Sequence, residues 1–349
     1  MATAMEIDDN KCASLQKNIN PFTKQPYSEK YLQDLKKRKR LPVYNFQQIF
    51  MDLLEEKQNK CIIVTGSGSG KSTQIPQWCL EYSRKINNTK SIVCTQPQKG
   101  AAIELAKRVA SEIDVKLGTI VGYNVRSDRI YDETTKLIFM TPEVLLHEVI
   151  SNIKIDKYHI IIIDEAHERQ INIDMLISLL YYSLKNTDDL KIIIMGATLD
   201  AAKFQNFFDK SPLLSIPGFT YPIEIIYDNE CTVAPQNGIH EILEKIAVLV
   251  VQIHFKNTNG DILVFLPGKE DILNTEKYIN FKLKQTSPLK KLSIIHLNGQ
   301  LSKSNQDKAL KKRQERIVIL ETNIAETSST IDNIMFVIDS GYIKESHYN

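Results

Sequence analysis

From residue 60 onward the chain alternates short β-branched runs with longer amphipathic stretches. Runs at Cys61–Val64, Ser91–Thr95, Leu137–Met140, His159–Asp164 and Lys191–Met195 read as strands. Helical periodicity lies between them, near residues 71–85, 99–113, 142–150, 173–184 and 200–208. Runs such as HIIIID (159–164) and KIIIMG (191–196) are apolar at successive positions rather than at every second one, as in strands buried on both faces. Such strands alternating with helices predict a parallel sheet covered on both sides, which is an α/β fold.

A second series follows. Strands are predicted at Ile223–Tyr227, Asp261–Leu266, Leu292–Leu297, Arg316–Leu320 and Ile334–Asp339, with helices near 238–255, 270–284 and 303–312. The stretch SPLLSIPGFTYP (211–222), with three prolines and a glycine, reads as a linker between the two series. The sequence stops at Asn349 soon after a strand, where a layered sheet needs a covering helix, so the second domain is expected to be incomplete. The expected layout is an extension over 1–45, a first domain over 46–216 and a second over 217–349. Residues 1–19 are polar and aperiodic, which predicts disorder. The basic run at Lys36, Lys37, Arg38, Lys39 and Arg40 reads either as a solvated helix end or as a nuclear-import or phosphate-contacting patch.

Composition narrows the classes. A chain of 349 residues with 42% hydrophobic and 25% charged positions is ordinary for two globular domains. Lys+Arg 44 against Asp+Glu 42 leaves a net charge of +2, so any binding to nucleic acid must come from local patches rather than bulk charge. No apolar run has the length of a membrane span, and MATAMEIDDN does not read as a signal peptide. The five cysteines form no C-x-x-C pair and the seven histidines no metal-ligand spacing, which predicts neither a disulfide framework nor a zinc site.

Chemistry concentrates at two places. CIIVTGSGSGKSTQIPQW (61–78) is a buried strand, a glycine-rich turn and a helix. Gly66, Gly68 and Gly70 let the backbone at Gly66, Ser67, Gly68, Ser69 and Gly70 curl so that its N–H groups converge on an anion, with a helix N-terminus behind them. Lys71 then supplies a point charge to terminal phosphates, and Ser72, followed by Thr73, a hydroxyl to Mg²⁺. The pattern G-x-x-x-x-G-K-[ST] wants glycine where Thr65 stands. A glycine-rich turn without a ligand is the competing reading, and the strand–loop–helix context weighs against it. Downstream, HIIIIDEAHER ends a buried strand with Asp164 and Glu165, at the sheet edge where open α/β folds bind ligands. Asp164, with Glu165 beside it, suits the Mg²⁺ shell. Glu165 suits the water that attacks a phosphate.

Asp164-Glu165-Ala166-His167 resembles the signature of the DEAH-box ATP-dependent RNA helicases of superfamily 2. The resemblance runs from about Asn20 to the end and is nearest the G-patch-activated subgroup of pre-mRNA splicing and ribosome biogenesis. Asn20-Pro21-Phe22-Thr23, Tyr31 and Leu41-Pro42-Val43 look like that subgroup's extension. The resemblance implies two RecA-like domains, ATP with Mg²⁺, sequence-independent contact with RNA backbone, spliceosomal or pre-ribosomal partner proteins, nuclear placement and no membrane. It makes Lys71, Asp164, Glu165 and His167 catalytic, with His167 sensing the terminal phosphate. It assigns Arg108 and Asp332 to the nucleotide. It places Thr95, Gln96, Pro97, Lys99, Arg126, Thr141, Gly268, Thr322 and Asn323 on the RNA track. Thr322-Asn323-Ile324-Ala325-Glu326-Thr327-Ser328 is a near-complete match to the fifth motif of the family.

There are departures too. Gly196 stands where the third motif begins with serine, Gln98 and Lys99 replace two arginines, and Thr141-Pro142-Glu143 replaces T-D-G. Glu321 puts an acid before Thr322, and Leu310 stands near where an aromatic completes the base sandwich with Arg108. The sixth motif, which supplies an arginine finger worth about 10³–10⁵ in rate in related enzymes, is expected beyond Asn349. Three readings follow: an RNA-dependent ATPase and helicase, a nucleotide- and RNA-binding module of the same fold that hydrolyses little, or a DNA-directed translocase on the same scaffold.

Overall fold

The computed structural model describes residues 19–151, 155–187, 189–197, 200–218, 222–227, 238–256, 259–286, 292–297, 315–322, 333–342 and 344. The chain divides into two compact units, Met1–Pro222 and Ile223–Asn349. Both are RecA-like, each built on a parallel-dominated sheet.

The first unit begins with helix α1 (Glu29–Arg38), capped by the Ser28 hydroxyl, which accepts from the Tyr31 N–H. A 3₁₀ turn over Pro42–Phe46 leads to α2 (Gln47–Glu55). The α/β series then runs β1 (Cys61–Thr65), α3 (Lys71–Lys85), β2 (Ser91–Thr95), α4 (Lys99–Glu112), β3 (Val121–Val125), β4 (Asp128–Ile130), β5 (Leu137–Met140), α5 (Pro142–Ser151), β6 (Tyr158–Ile163), α6 (Ile171–Asn186), β7 (Lys191–Gly196), α7 (Ala201–Phe207) and β8 (Leu213–Ser215). The sheet order is β4-β3-β5-β2-β6-β7-β1-β8, parallel except for the β3–β4 hairpin.

Alternation along each strand divides the core in two. Ile62, Val64, Ile92, Cys94, Phe139, Ile160, Ile162, Ile193 and Met195 pack with Phe50, Trp78, Ala106 and Val109 of α2, α3 and α4. Their neighbours Ile63, Val93, Ile138, Ile161, Ile163, Ile192 and Ile194 pack with Leu145, Leu176, Leu180 and Phe204 of α5, α6 and α7. This two-sided burial is why the strands are apolar at every position.

The second unit contains α8 (Ile239–Lys256), β9 (Asp261–Leu266), α9 (Lys269–Thr286), β10 (Leu292–Leu297), β11 (Arg316–Thr322) and β12 (Ile334–Asp339). Its parallel sheet has the order β10-β11-β9-β12. Leu243, Ile246 and Val250 of α8 and Ile272 and Ile279 of α9 pack with Ile262, Val264, Val318 and Leu320 of the strands. No described helix is long and apolar enough to cross a membrane.

The structure departs from the sequence reading at four points. Residues 222–227 form no strand and are exposed, because none of the described strands offers Ile223–Tyr227 a ladder partner. The expected linker instead contains β8, which extends the first sheet by pairing with β1 through Ile63, Val64 and Thr65. The β3–β4 hairpin was not anticipated, since Gly122 and Asn124 interrupt β3 and β4 is exposed throughout. The basic run is not uniformly solvated. Arg38 is buried, donates from Nη1 to Gln77 Oε1 at 2.9 Å and lies 3.9 Å from Glu112 Oε2. The helix expected near 303–312 lies outside the described residues, and so does the disorder expected over 1–19 except at Ile19, which instead forms a bridge with Pro26.

Candidate nucleotide site and nucleic-acid edge

The parallel register brings the C-terminal ends of β1, β7, β6 and β2 side by side at one edge of the first sheet. The segments that follow them are the glycine loop, Gly196-Ala197, Asp164-Glu165 and Gln96-Pro97. The two strongest sequence signals therefore share one edge, two strands apart.

Thr65 is the last ladder residue of β1, opposite Gly196 and Ser215, so its regular backbone requires no glycine. The loop proper begins at Gly66. Gly66, Gly68 and Gly70 all have positive φ (130°, 63° and 91°), and this curls the loop into the start of α3. A Cβ on Gly66 would lie 1.9 Å from the Ile216 carbonyl oxygen, while the Gly66 N–H donates to Gly196 O at 3.1 Å. Ser67 and Gly68 are exposed, and Ser69 is buried with its carbonyl accepting from Val43 N at 3.1 Å. Ser72 is half-buried. Thr73 is turned inward, its hydroxyl donating to Gly70 O at 3.1 Å and accepting from Gln74 Nε2 at 2.9 Å. Lys71 opens α3 and is buried.

Asp164 is wholly buried, with one donor for each carboxylate oxygen. Gln96 Nε2 donates to Oδ2 at 2.7 Å, and the Glu165 N–H donates to Oδ1 at 2.9 Å. Glu165 takes a left-handed backbone, φ 53°. Burial, and then the neighbouring Asp164 charge, push the Glu165 carboxyl above its ordinary value, against the opposing charges of Lys71 and His167. A carboxylate raised in this way is better matched to taking a proton near neutral pH. His167 lies in a 3₁₀ turn over Ala166–Glu168, its Nδ1 3.4 Å from both Glu165 Oε2 and Ala197 N. The segments that follow β6 and β7 therefore touch directly.

The donor set fits a nucleoside triphosphate with Mg²⁺. A loop of N–H groups, a buried ammonium, a hydroxyl and one or two carboxylates form the usual protein share of such a site, the phosphates supplying other oxygens. Ser72 and Asp164 would hold the ion. Among the described residues no three His, Cys, Asp or Glu side chains gather into a separate metal cluster.

The residues assigned to RNA divide into two groups. Lys99 and Arg126 are exposed and Pro97 is half-buried. Lys99 Nζ donates to Ser127 Oγ, which brings Lys99 to the β3–β4 turn containing Arg126. Thr95, Gln96 and Thr141 are instead buried, with Gln96 committed to Asp164 and the Thr141 hydroxyl 3.3 Å from Glu143 Oε2. Arg108 is exposed on α4 and pairs with Glu112 Oε1 at 3.0 Å. In the second unit, Gly268 sits at the turn from β9 into α9, and Thr322 ends β11 opposite Leu266. Glu321 is buried in the sheet. Asn323 and Asp332 lie outside the described residues.

Sequence reasoning missed the support behind the loop. A Cβ on Gly218 would fall 1.6 Å from Ser67 O, so the Ile216-Pro217-Gly218 segment lies directly against the phosphate loop. The local signal for it is the Pro217-Gly218 pair, within a stretch that by composition reads as a linker.

The sequence model of the DEAD/DEAH box helicase family matches residues 44–207. The helicase conserved C-terminal domain matches residues 243–347. By these two domains the chain belongs to the superfamily 2 helicases. Such helicases are ATP-dependent, and the helicase carries its glycine loop, Lys71, Asp164, Glu165 and His167 within the first matched region.

Proposed function

We propose that the helicase is a DEAH-box RNA helicase that couples ATP hydrolysis to remodelling of RNA or ribonucleoprotein. One observation carries this reading. The C-terminal ends of β1 and β6 lie on one sheet edge with β7 between them, and this supports a shared site for the phosphate-binding loop and the acidic box. In this reading the amides from Gly66 to Gly70 and the Lys71 ammonium hold the phosphates, and Glu165 takes the proton from the attacking water. His167 reports the state of Glu165 to Ala197 through their shared contacts. Mg²⁺, when bound, neutralises charge on the phosphate oxygens.

RNA rather than DNA rests on the family resemblance and on the chemistry of the edge. Lys99 and Arg126 offer cations to a backbone without base readout. Work in pre-mRNA splicing and ribosome biogenesis, with spliceosomal or pre-ribosomal partners in the nucleus, extends the same resemblance.

The test is ATP hydrolysis by the chain, with and without single-stranded RNA or DNA, beside Lys71→Ala and Glu165→Gln. The reading expects RNA-stimulated turnover, slow in a chain without the expected sixth motif, that both variants lose, with Glu165→Gln still binding nucleotide. Nucleotide and RNA binding without turnover would favour the hydrolysis-poor module. Equal stimulation by DNA would remove RNA specificity.

A further inference from the structure

The resemblance places Gln96 on the RNA track, but its side chain lies elsewhere. Gln96 is buried, its backbone N–H donates to Met140 O at 2.8 Å, and its amide donates to Asp164 Oδ2 at 2.7 Å. The backbone beside it is tied as well, since Asp164 N donates to Thr95 O at 3.3 Å. With Gln96 on Oδ2 and the Glu165 N–H on Oδ1, the Asp164 carboxylate has one donor on each oxygen, and these fix the plane of the group. Removing the Gln96 donor would leave a buried charged oxygen without its partner. Outer partners of this kind orient metal-binding groups, and their loss typically lowers metal affinity about 10–100-fold.

We propose that Gln96 is a positioning residue for Asp164: its buried amide sets the carboxylate for Mg²⁺·nucleotide, and it does not itself contact RNA. Contact with RNA in this segment falls to the less buried Pro97 and Lys99, one and three positions further on. One strand end thus carries both groups, with the metal-orienting amide inside and the cation outside. This inference rests on the nucleotide reading of the site.

The experiment compares the whole chain with Gln96→Ala and with Gln96→Met, which keeps the side-chain volume and removes the donor. Binding of a non-hydrolysable ATP analogue is measured by calorimetry with excess Mg²⁺ and again with EDTA. Binding of single-stranded RNA without nucleotide is measured by fluorescence anisotropy. In both variants the gain in nucleotide affinity contributed by Mg²⁺ should fall about 10–100-fold. Affinity in EDTA and affinity for RNA should stay within about twofold of the original, a margin of roughly 0.4 kcal/mol. A Mg²⁺ gain left whole in Gln96→Met overturns the inference, and so does a loss of RNA affinity with that gain intact. If the unaltered chain shows no Mg²⁺ gain, the nucleotide reading itself fails and takes the inference with it.

Discussion

Gly218→Ala places a methyl group where the structure has no room for one. The new Cβ would lie 1.6 Å from Ser67 O and 2.8 Å from Ser67 C, both backbone atoms that no rotamer change can move. Ordinary contact starts at 3.4 Å, so a gap of about 1.8 Å must open between the Ile216–Gly218 segment and the phosphate loop. Neither side gives freely. Ile216 N is bonded to Thr65 O at 2.9 Å, Gly66 N to Gly196 O at 3.1 Å, and Val43 N to Ser69 O at 3.1 Å. Overpacking of this kind costs about 1–3 kcal/mol. If the strain falls on the loop, nucleotide affinity drops about 5–150-fold. If it falls on the fold, the first unit melts roughly 2–12 °C lower. Titration with a fluorescent nucleotide, beside a thermal melt, separates the two. Gly100→Ala serves as the control, because nothing lies within 4 Å of its Cβ and helix α4 favours alanine by up to about 1 kcal/mol. Wild-type affinity together with wild-type melting in Gly218→Ala would refute the proposed buttress behind the loop.

Three further outcomes are expected. Glu112→Ala removes the shared acceptor of Gln74 Nε2 (2.9 Å) and Gln77 Nε2 (2.7 Å) and leaves the buried Arg38 without its acid. Denaturant unfolding of the first unit should show a loss of about 3–5 kcal/mol. His159 is buried, and burial lowers its pKa from 6.5 to about 4. The folded state therefore resists protonation that the unfolded chain accepts, so this stability is complete above pH 6.5 and is lost as pH falls towards 4, by about 1.4 kcal/mol per pH unit. A pH series of unfolding measurements should show that slope, and His159→Leu should flatten it. Gly122→Ala brings a Cβ 2.3 Å from Ile130 O and should disturb the β3–β4 turn that holds Arg126 beside Lys99. RNA affinity should then fall while nucleotide affinity in EDTA stays unchanged.

The sequence alone was enough to find the strands of both sheets whose signal is local. HIIIID and KIIIMG announce central strands because burial on two faces leaves no polar position. The spacing of Gly66, Gly68, Gly70 and Lys71 announces an anion loop, because only glycine accepts the positive φ that the curl needs. Side-chain direction and strand partnership were decided by the tertiary structure. Gln96 and Lys99 stand three residues apart, yet one is buried against Asp164 and the other exposed, a difference set by how β2 and α4 sit against β6. Arg38 reads like its basic neighbours until α3 and α4 bring Gln77 and Glu112 to it. β8 forms in a proline-flanked stretch because β1 offers a free edge, whereas Ile223–Tyr227, a stronger strand by composition, finds no partner among the described strands. Pairing and burial depend on residues far away in the chain, and no local pattern contains them.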